Sequence, residues 1–81
     1  METRVALIGI IIEDRQSVGA MNNILHEYGD FIIGRMGIPY DKKQVSVISI
    51  AIDAPLDTIN KLSGKIGMLD GITTKTIYSK L

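Results

Sequence analysis

The sequence predicts an α+β two-layer sandwich, and three observations predict it. Two β-branched segments, Val5 to Ile12 and Val45 to Ile52, each run into an acidic residue and then into helical periodicity. Shifting the chain by forty positions places Val5 on Val45, Leu7 on Val47, Ile8 on Ile48, Ile10 on Ile50 and Ile12 on Ile52. The 81 residues, 46% hydrophobic and free of Cys and Trp, hold material for one core only, since a chain this short buries about 60–65% of its unfolded surface. A strand-helix-strand unit repeated once gives the order β-α-β-β-α-β, the split β-α-β or ferredoxin-like arrangement. One domain over residues 1–81 is expected.

Val5-Ala6-Leu7-Ile8-Gly9-Ile10-Ile11-Ile12 is aliphatic throughout and suits a central strand. A helix follows, with Asp14 or Ser17 accepting its first orphan N–H groups and Val18, Met21, Leu25 and Tyr28 recurring at spacings of three and four. Gly29 is expected to stop it in a left-handed conformation. Phe31 to Ile38 reads as the second strand, loosened by Gly34 and Gly37. Pro39-Tyr40-Asp41-Lys42-Lys43 reads as the hairpin connection into the third strand, Val45 to Ile52. Asp53-Ala54-Pro55 opens a second helix, because proline is tolerated in a first turn, with Leu56, Ile59, Leu62 and Ile66 as its core stripe. Gly64 within it costs about 1 kcal/mol relative to alanine, so close packing or an early helix end is expected there. Gly67 and Asp70-Gly71 close the segment before the fourth strand, Ile72 to Tyr78.

Alternation along the two central strands separates two faces. Ile8, Ile10, Ile12, Ile48, Ile50 and Ile52 share one, bulky enough to receive both helices. Val5, Leu7, Ile11, Val45 and Val47 share the other, with Gly9, Ser49 and Ala51 between them. A two-layer sandwich leaves that second face without helices, and an apolar patch of a few hundred Å² marks an interaction surface. A second copy of the chain is the expected cover, in a dimer or tetramer.

Nine basic residues balance nine acidic ones. Affinity for phosphate backbones comes from uncompensated cations, so no direct nucleic-acid binding by the monomer is expected. The longest apolar run, Val5 to Ile12, falls far short of the ~20 residues that span a bilayer. It also lacks a signal-peptide flank pattern, so a cytoplasmic protein without membrane contact is expected. Absence of cysteine excludes thiolate metal sites and thiol nucleophiles, and a single histidine excludes a self-contained histidine cluster. No cofactor, metal site or catalytic residue is expected.

Glu13 and Asp14 are accounted for by helix capping. His26 falls in line with Asn22 on the polar face of the first helix. Arg35 and Met36 either face a ligand or partner or decorate an edge strand. The candidate ligand site is Asp14, Arg15, Gln16 and Ser17, at the start of the first helix, where free N–H groups favour a small anionic or amino-acid-like ligand. Arg15 and Ser17 would be the donors.

Three segments carry a family resemblance over essentially the whole chain. They are Arg4-Val5-Ala6-Leu7-Ile8-Gly9-Ile10, Ile33-Gly34-Arg35-Met36-Gly37-Ile38-Pro39, and Asp53-Ala54-Pro55 followed by Leu62-Ser63-Gly64-Lys65-Ile66-Gly67. Together they resemble the small family described as iron-only hydrogenase system regulators, which is similar in turn to ACT-like regulatory domains and to the C-terminal domain of nickel-responsive repressors. The resemblance implies an ACT-like oligomer with a regulatory role and no catalysis. The nickel site is not carried over, because that domain uses several histidines and a cysteine where this chain has only His26. Gln16-Ser17 stands where amino-acid-binding relatives have a Pro-Gly-like turn. The leading expectation is a ligand-sensing regulatory module. Its alternatives are a protein-interaction domain that binds a protein partner without a ligand, and a small enzyme assembled between subunits from Glu13, Asp14, Arg15 and His26.

Overall fold

The computed structural model describes residues 2–80. Their elements are β1 (Arg4–Ile12), α1 (Val18–Glu27), β2 (Ile32–Tyr40), β3 (Val45–Ala54), α2 (Leu56–Gly67) and β4 (Ile72–Tyr78). The strands form one sheet in the order β2-β3-β1-β4, with every neighbouring pair antiparallel. This is the ferredoxin-like βαββαβ fold, with the two most apolar strands in the centre.

Register decides which side chains meet the helices. Ile8 pairs with Ile50, Ile10 with Ile48 and Ala6 with Ile52, so one row of branched side chains crosses β1 and β3 on the same face. Ile8, Ile10, Ile12, Ile50 and Ile52 are at most 1% exposed. Met21 and Leu25 of α1 and Ile59, Leu62 and Ile66 of α2 close over them in a single buried cluster. Each side chain withdrawn this completely contributes about 1.5–3 kcal/mol. At the β4 margin, hydroxyls replace aliphatic contact: Thr76 Oγ1 donates to Ser63 Oγ at 3.2 Å, and the Tyr78 hydroxyl donates to Asn60.

Several local expectations are corrected. Gly29 does not adopt a left-handed conformation; α1 ends at Glu27 and the chain enters a 3₁₀ turn, Gly29–Phe31, which delays β2 to Ile32. Pro39 is not in the hairpin connection but in β2, opposite Ser46, tolerated because β2 is an edge strand with no neighbour on one side. The connection is a 3₁₀ turn, Asp41–Lys43, closed by Gln44 at φ 56°. At the far end of β3 the strand continues through Ala54, and Pro55 is the N-cap of α2 rather than a residue of its first turn. Leu56 is exposed instead of joining the core stripe. Neither close packing nor an early helix end explains Gly64, since α2 runs past it and nothing lies within 4 Å of a Cβ placed there.

The left-handed glycine is Gly71, at φ 70°. A Cβ there would fall 2.5 Å from Asp14 Cβ and 2.8 Å from Asp14 N, so the turn before β4 and the loop after β1 pack backbone to backbone. Gly71→Ala is therefore expected to cost about 1–3 kcal/mol from backbone strain. Gly64→Ala, in an open helix interior, should gain about 0.5–1 kcal/mol. Chemical denaturation of both variants checks the pair, and equal effects would contradict this assignment of the two glycines.

Candidate functional site

The sheet face turned away from the helices is rich in exposed apolar side chains. Val5, Leu7, Ile11 and Val47 are 48%, 43%, 39% and 41% exposed, and Val45 is half-buried. All five interface residues expected from sequence therefore lie on this face. Pairing adds residues that the sequence reading missed. Met36 lies opposite Ser49, Ile38 opposite Val47, Tyr40 opposite Val45 and Ile77 opposite Leu7, and these four are 45–69% exposed. Asp53, opposite Val5, and Lys75, opposite Gly9, are the charged members of the face. At its centre, Gly9 has no side chain, and a hollow of about 350 Å³ opens there among Ile11, Val47, Ser49, Thr73 and Lys75.

Parity in β2 could not be read from sequence because the strand carries a bulge between Ile32 and Gly34. In a regular strand Ile32 and Met36 would point the same way. The extra residue reverses the phase, so Ile32 pairs with Ile52 and packs on the core while Met36 and Ile38 face outward.

The loop carrying Asp14, Arg15, Gln16 and Ser17 has its polar groups engaged within the chain. Asp14 caps a 3₁₀ turn, Arg15–Ser17, by accepting from Gln16 N at 2.9 Å. Ser17 Oγ donates to the Asp70 carbonyl at 2.7 Å, and Glu13 N donates to Gly71 O at 2.7 Å. Arg15 reaches across to the β2–β3 turn and pairs with Asp41 at 2.9 Å. Ser17 stands at the N-cap of α1 without a side-chain capping bond. His26 lies in the last turn of α1. Eleven residues along the chain from Arg15, at about 1.5 Å per helical residue, it is not brought together with Glu13, Asp14 and Arg15 in one chain.

Arg35 and Met36 separate. Arg35 pairs with Ile50 and lies on the helix side, donating from Nη2 to Asn22 Oδ1 at 2.8 Å, whereas Met36 joins the open face. The Tyr28 side chain, 5.2 Å from the nitrogen at its ring centre, and then the Glu27 carboxylate hold the Lys65 ammonium above its ordinary pKa. With a raised pKa, that interaction persists through neutral pH and is lost only as pH rises past the folded-state value. Among the described residues no polar or charged side chain is buried, and no group of three His, Asp or Glu side chains is placed to hold a metal. No helix among them is long and apolar enough to cross a membrane.

A family model, TM1266-like, matches residues 4–76. The chain belongs to the TM1266-like family. That family is described as "Iron-only hydrogenase system regulator, putative". A solved structure, that of protein TM1266 from Thermotoga maritima, is 32% identical and superimposes with a TM-score of 0.92 over 98% of this chain and 100% of that one. The comparison with curated proteins returned no match. The TM1266-like fold is thus shared across nearly the full length of both chains.

The polar contacts of the loop rank in a testable order. Asp14→Ala removes a side-chain cap and is expected to cost about 0.5–2 kcal/mol. Arg15→Ala breaks only an exposed ion pair and should cost less than about 1 kcal/mol. Thermal or urea unfolding of the two variants checks the order, and a larger loss at Arg15 would contradict it.

Proposed function

We propose that this chain is a non-catalytic regulatory module of an iron-only hydrogenase system and that it works as a homo-oligomer, a dimer or tetramer built through the open face of the sheet. The observation that carries the reading is the extent of that face. Aliphatic side chains from all four strands, with Tyr40, stand together on one side of the sheet and are 39–69% exposed where they are not half-buried. Contiguous apolar surface of this kind is rare on monomeric proteins and marks an interface. A second copy is the favoured occupant. Two such faces pack at the ordinary spacing of about 10 Å between sheets, and the charges on the face, Asp53 and Lys75, are of opposite sign. The face therefore carries no net charge to oppose an isologous contact. The β2 edge is a poorer contact, being interrupted by Pro39 and a bulge.

The family description supports the regulatory half of the proposal. With nine positive and nine negative side chains, the chain offers no excess of cations for DNA, so regulation runs through protein contacts or a bound ligand. In the ligand-sensing form, a small anion or amino-acid-like molecule exchanges for Asp41 at Arg15. That pair is exposed at both ends, 50% and 84%, so its replacement costs little. Without a ligand, the same module acts as a protein-interaction domain, and titration with small anions separates the two forms.

Val47→Lys tests the oligomer. It places an ammonium in the middle of the face without touching the core, so the variant should remain folded by circular dichroism. Light scattering should show association weakened at least tenfold, because an unpaired charge in a dry interface costs several kcal/mol. A wild-type protein that is already monomeric at micromolar concentration, or a variant that associates as well as wild type, would overturn the reading.

A further inference from the structure

A third feature lies outside both the sheet face and the β1–α1 loop. A cleft of about 270 Å³ runs between α1 and edge strand β2, lined by Asn22, Leu25, His26, Gly29, Ile32 and Arg35. Its construction follows from three local facts. Asn22 and His26 are four residues apart on α1 and share one line of that helix. Ile32 is turned inward by the bulge and, with buried Leu25, forms an apolar floor. Arg35, directed to the helix side by its pairing with Ile50, closes the outer wall.

The electrostatics of this cleft are one-sided. Arg15 and Lys65 both have carboxylate partners, Asp41 and Glu27, whereas among the described residues the Arg35 guanidinium bonds only the neutral Asn22 amide oxygen, at 2.8 Å. One of its five N–H groups is used there. Asn22 and His26 line the same space, and among the described residues no Asp or Glu does. A planar, permanently charged fork beside an apolar floor is the arrangement that recognises a carboxylate by two parallel hydrogen bonds.

We propose that this cleft binds a small monocarboxylate with a short branched aliphatic tail. The carboxylate sits on Arg35, with Asn22 and His26 as flanking donors, and the tail lies on Leu25 and Ile32. At about 270 Å³ the cleft is just under the roughly 300–1,000 Å³ of pockets for drug-sized ligands, which suits a ligand of a handful of heavy atoms. The lack of an acidic residue in the lining selects against an α-ammonium group, so a simple acid binds better than the matching amino acid. The cleft opens on the helix side of the sheet, and its occupancy does not depend on whether a second copy covers the other side.

Isovalerate is the probe. Titrated into ¹⁵N-labelled protein at constant ionic strength, it should move the Asn22 side-chain, Gly29 and Arg35 Nε resonances along one saturable curve. Isovaleramide, leucine and inorganic phosphate should each bind at least tenfold more weakly, since they lack the charge, add an ammonium or lack the tail. Arg35→Gln should weaken isovalerate at least tenfold, Arg35→Lys by less, and Lys61→Gln, on α2 outside the cleft, not at all. The variants' dispersed spectra establish that they are folded. Shifts that do not saturate, phosphate binding as tightly as isovalerate, or full affinity in Arg35→Gln would each overturn the proposal.

Discussion

The antiparallel pairing of β1 with β3 sets the rest of the molecule. With Ile8 opposite Ile50 and Ile10 opposite Ile48, branched side chains fill one side of the two central strands without a gap, and both helices pack there. Because strand side chains alternate strictly, the same register fixes what stands on the other side. Slipping the pairing by one residue would bring Leu7, Gly9 and Ile11 against the helices and expose the isoleucines. Such a slip would expose more apolar volume than it buries, and Gly9 would leave a hole in the core. The covered core and the uncovered apolar face are therefore two consequences of one register.

Much of this was legible in the sequence, because the central strands are long, apolar and regular. The six isoleucines of the core face and the five aliphatic residues of the open face were assigned by alternation alone, and the forty-residue repeat gave the topology. Alternation failed where the backbone is irregular. The bulge at Ile32/Gly34 shifts the phase of β2, so Met36, Ile38 and Tyr40 could not be placed on the open face before the register was known. The sequence points to Gly29 as a left-handed stop and to Gly71 only as closing the segment after α2. Only the contact of Gly71 with Asp14, 57 residues apart, distinguishes them. Leu56 shows a different limit: its spacing matches the core stripe of α2, but it is the first residue of the helix and stays exposed.

The candidate ligand loop was found by its position before a helix, but its internal bonding was invisible in the sequence. Ser17 and Glu13 are tied to Asp70 and Gly71, so the loop doubles as a structural clasp between β1 and β4. Only the Arg15–Asp41 pair at its rim is loose enough to exchange. The chain belongs to the TM1266-like family, described as "Iron-only hydrogenase system regulator, putative", and shares its fold with the Thermotoga maritima protein. In the proposed reading, association through the exposed sheet face provides a means of control, since any ligand that binds only the assembled form shifts the equilibrium by mass action.

The state of that face in solution is the decisive observation. Solvent paramagnetic relaxation of methyl groups, measured at tens of micromolar protein, compares Leu7, Ile11 and Val47 with Met68, which is 86% exposed and lies away from the sheet. If a second copy covers the face, the three aliphatic methyls will relax as slowly as those of buried Ile8 and Ile50 while the Met68 methyl relaxes fast. Relaxation of Leu7, Ile11 and Val47 in proportion to their exposure in the single chain would show a wet, unpartnered sheet and contradict the account.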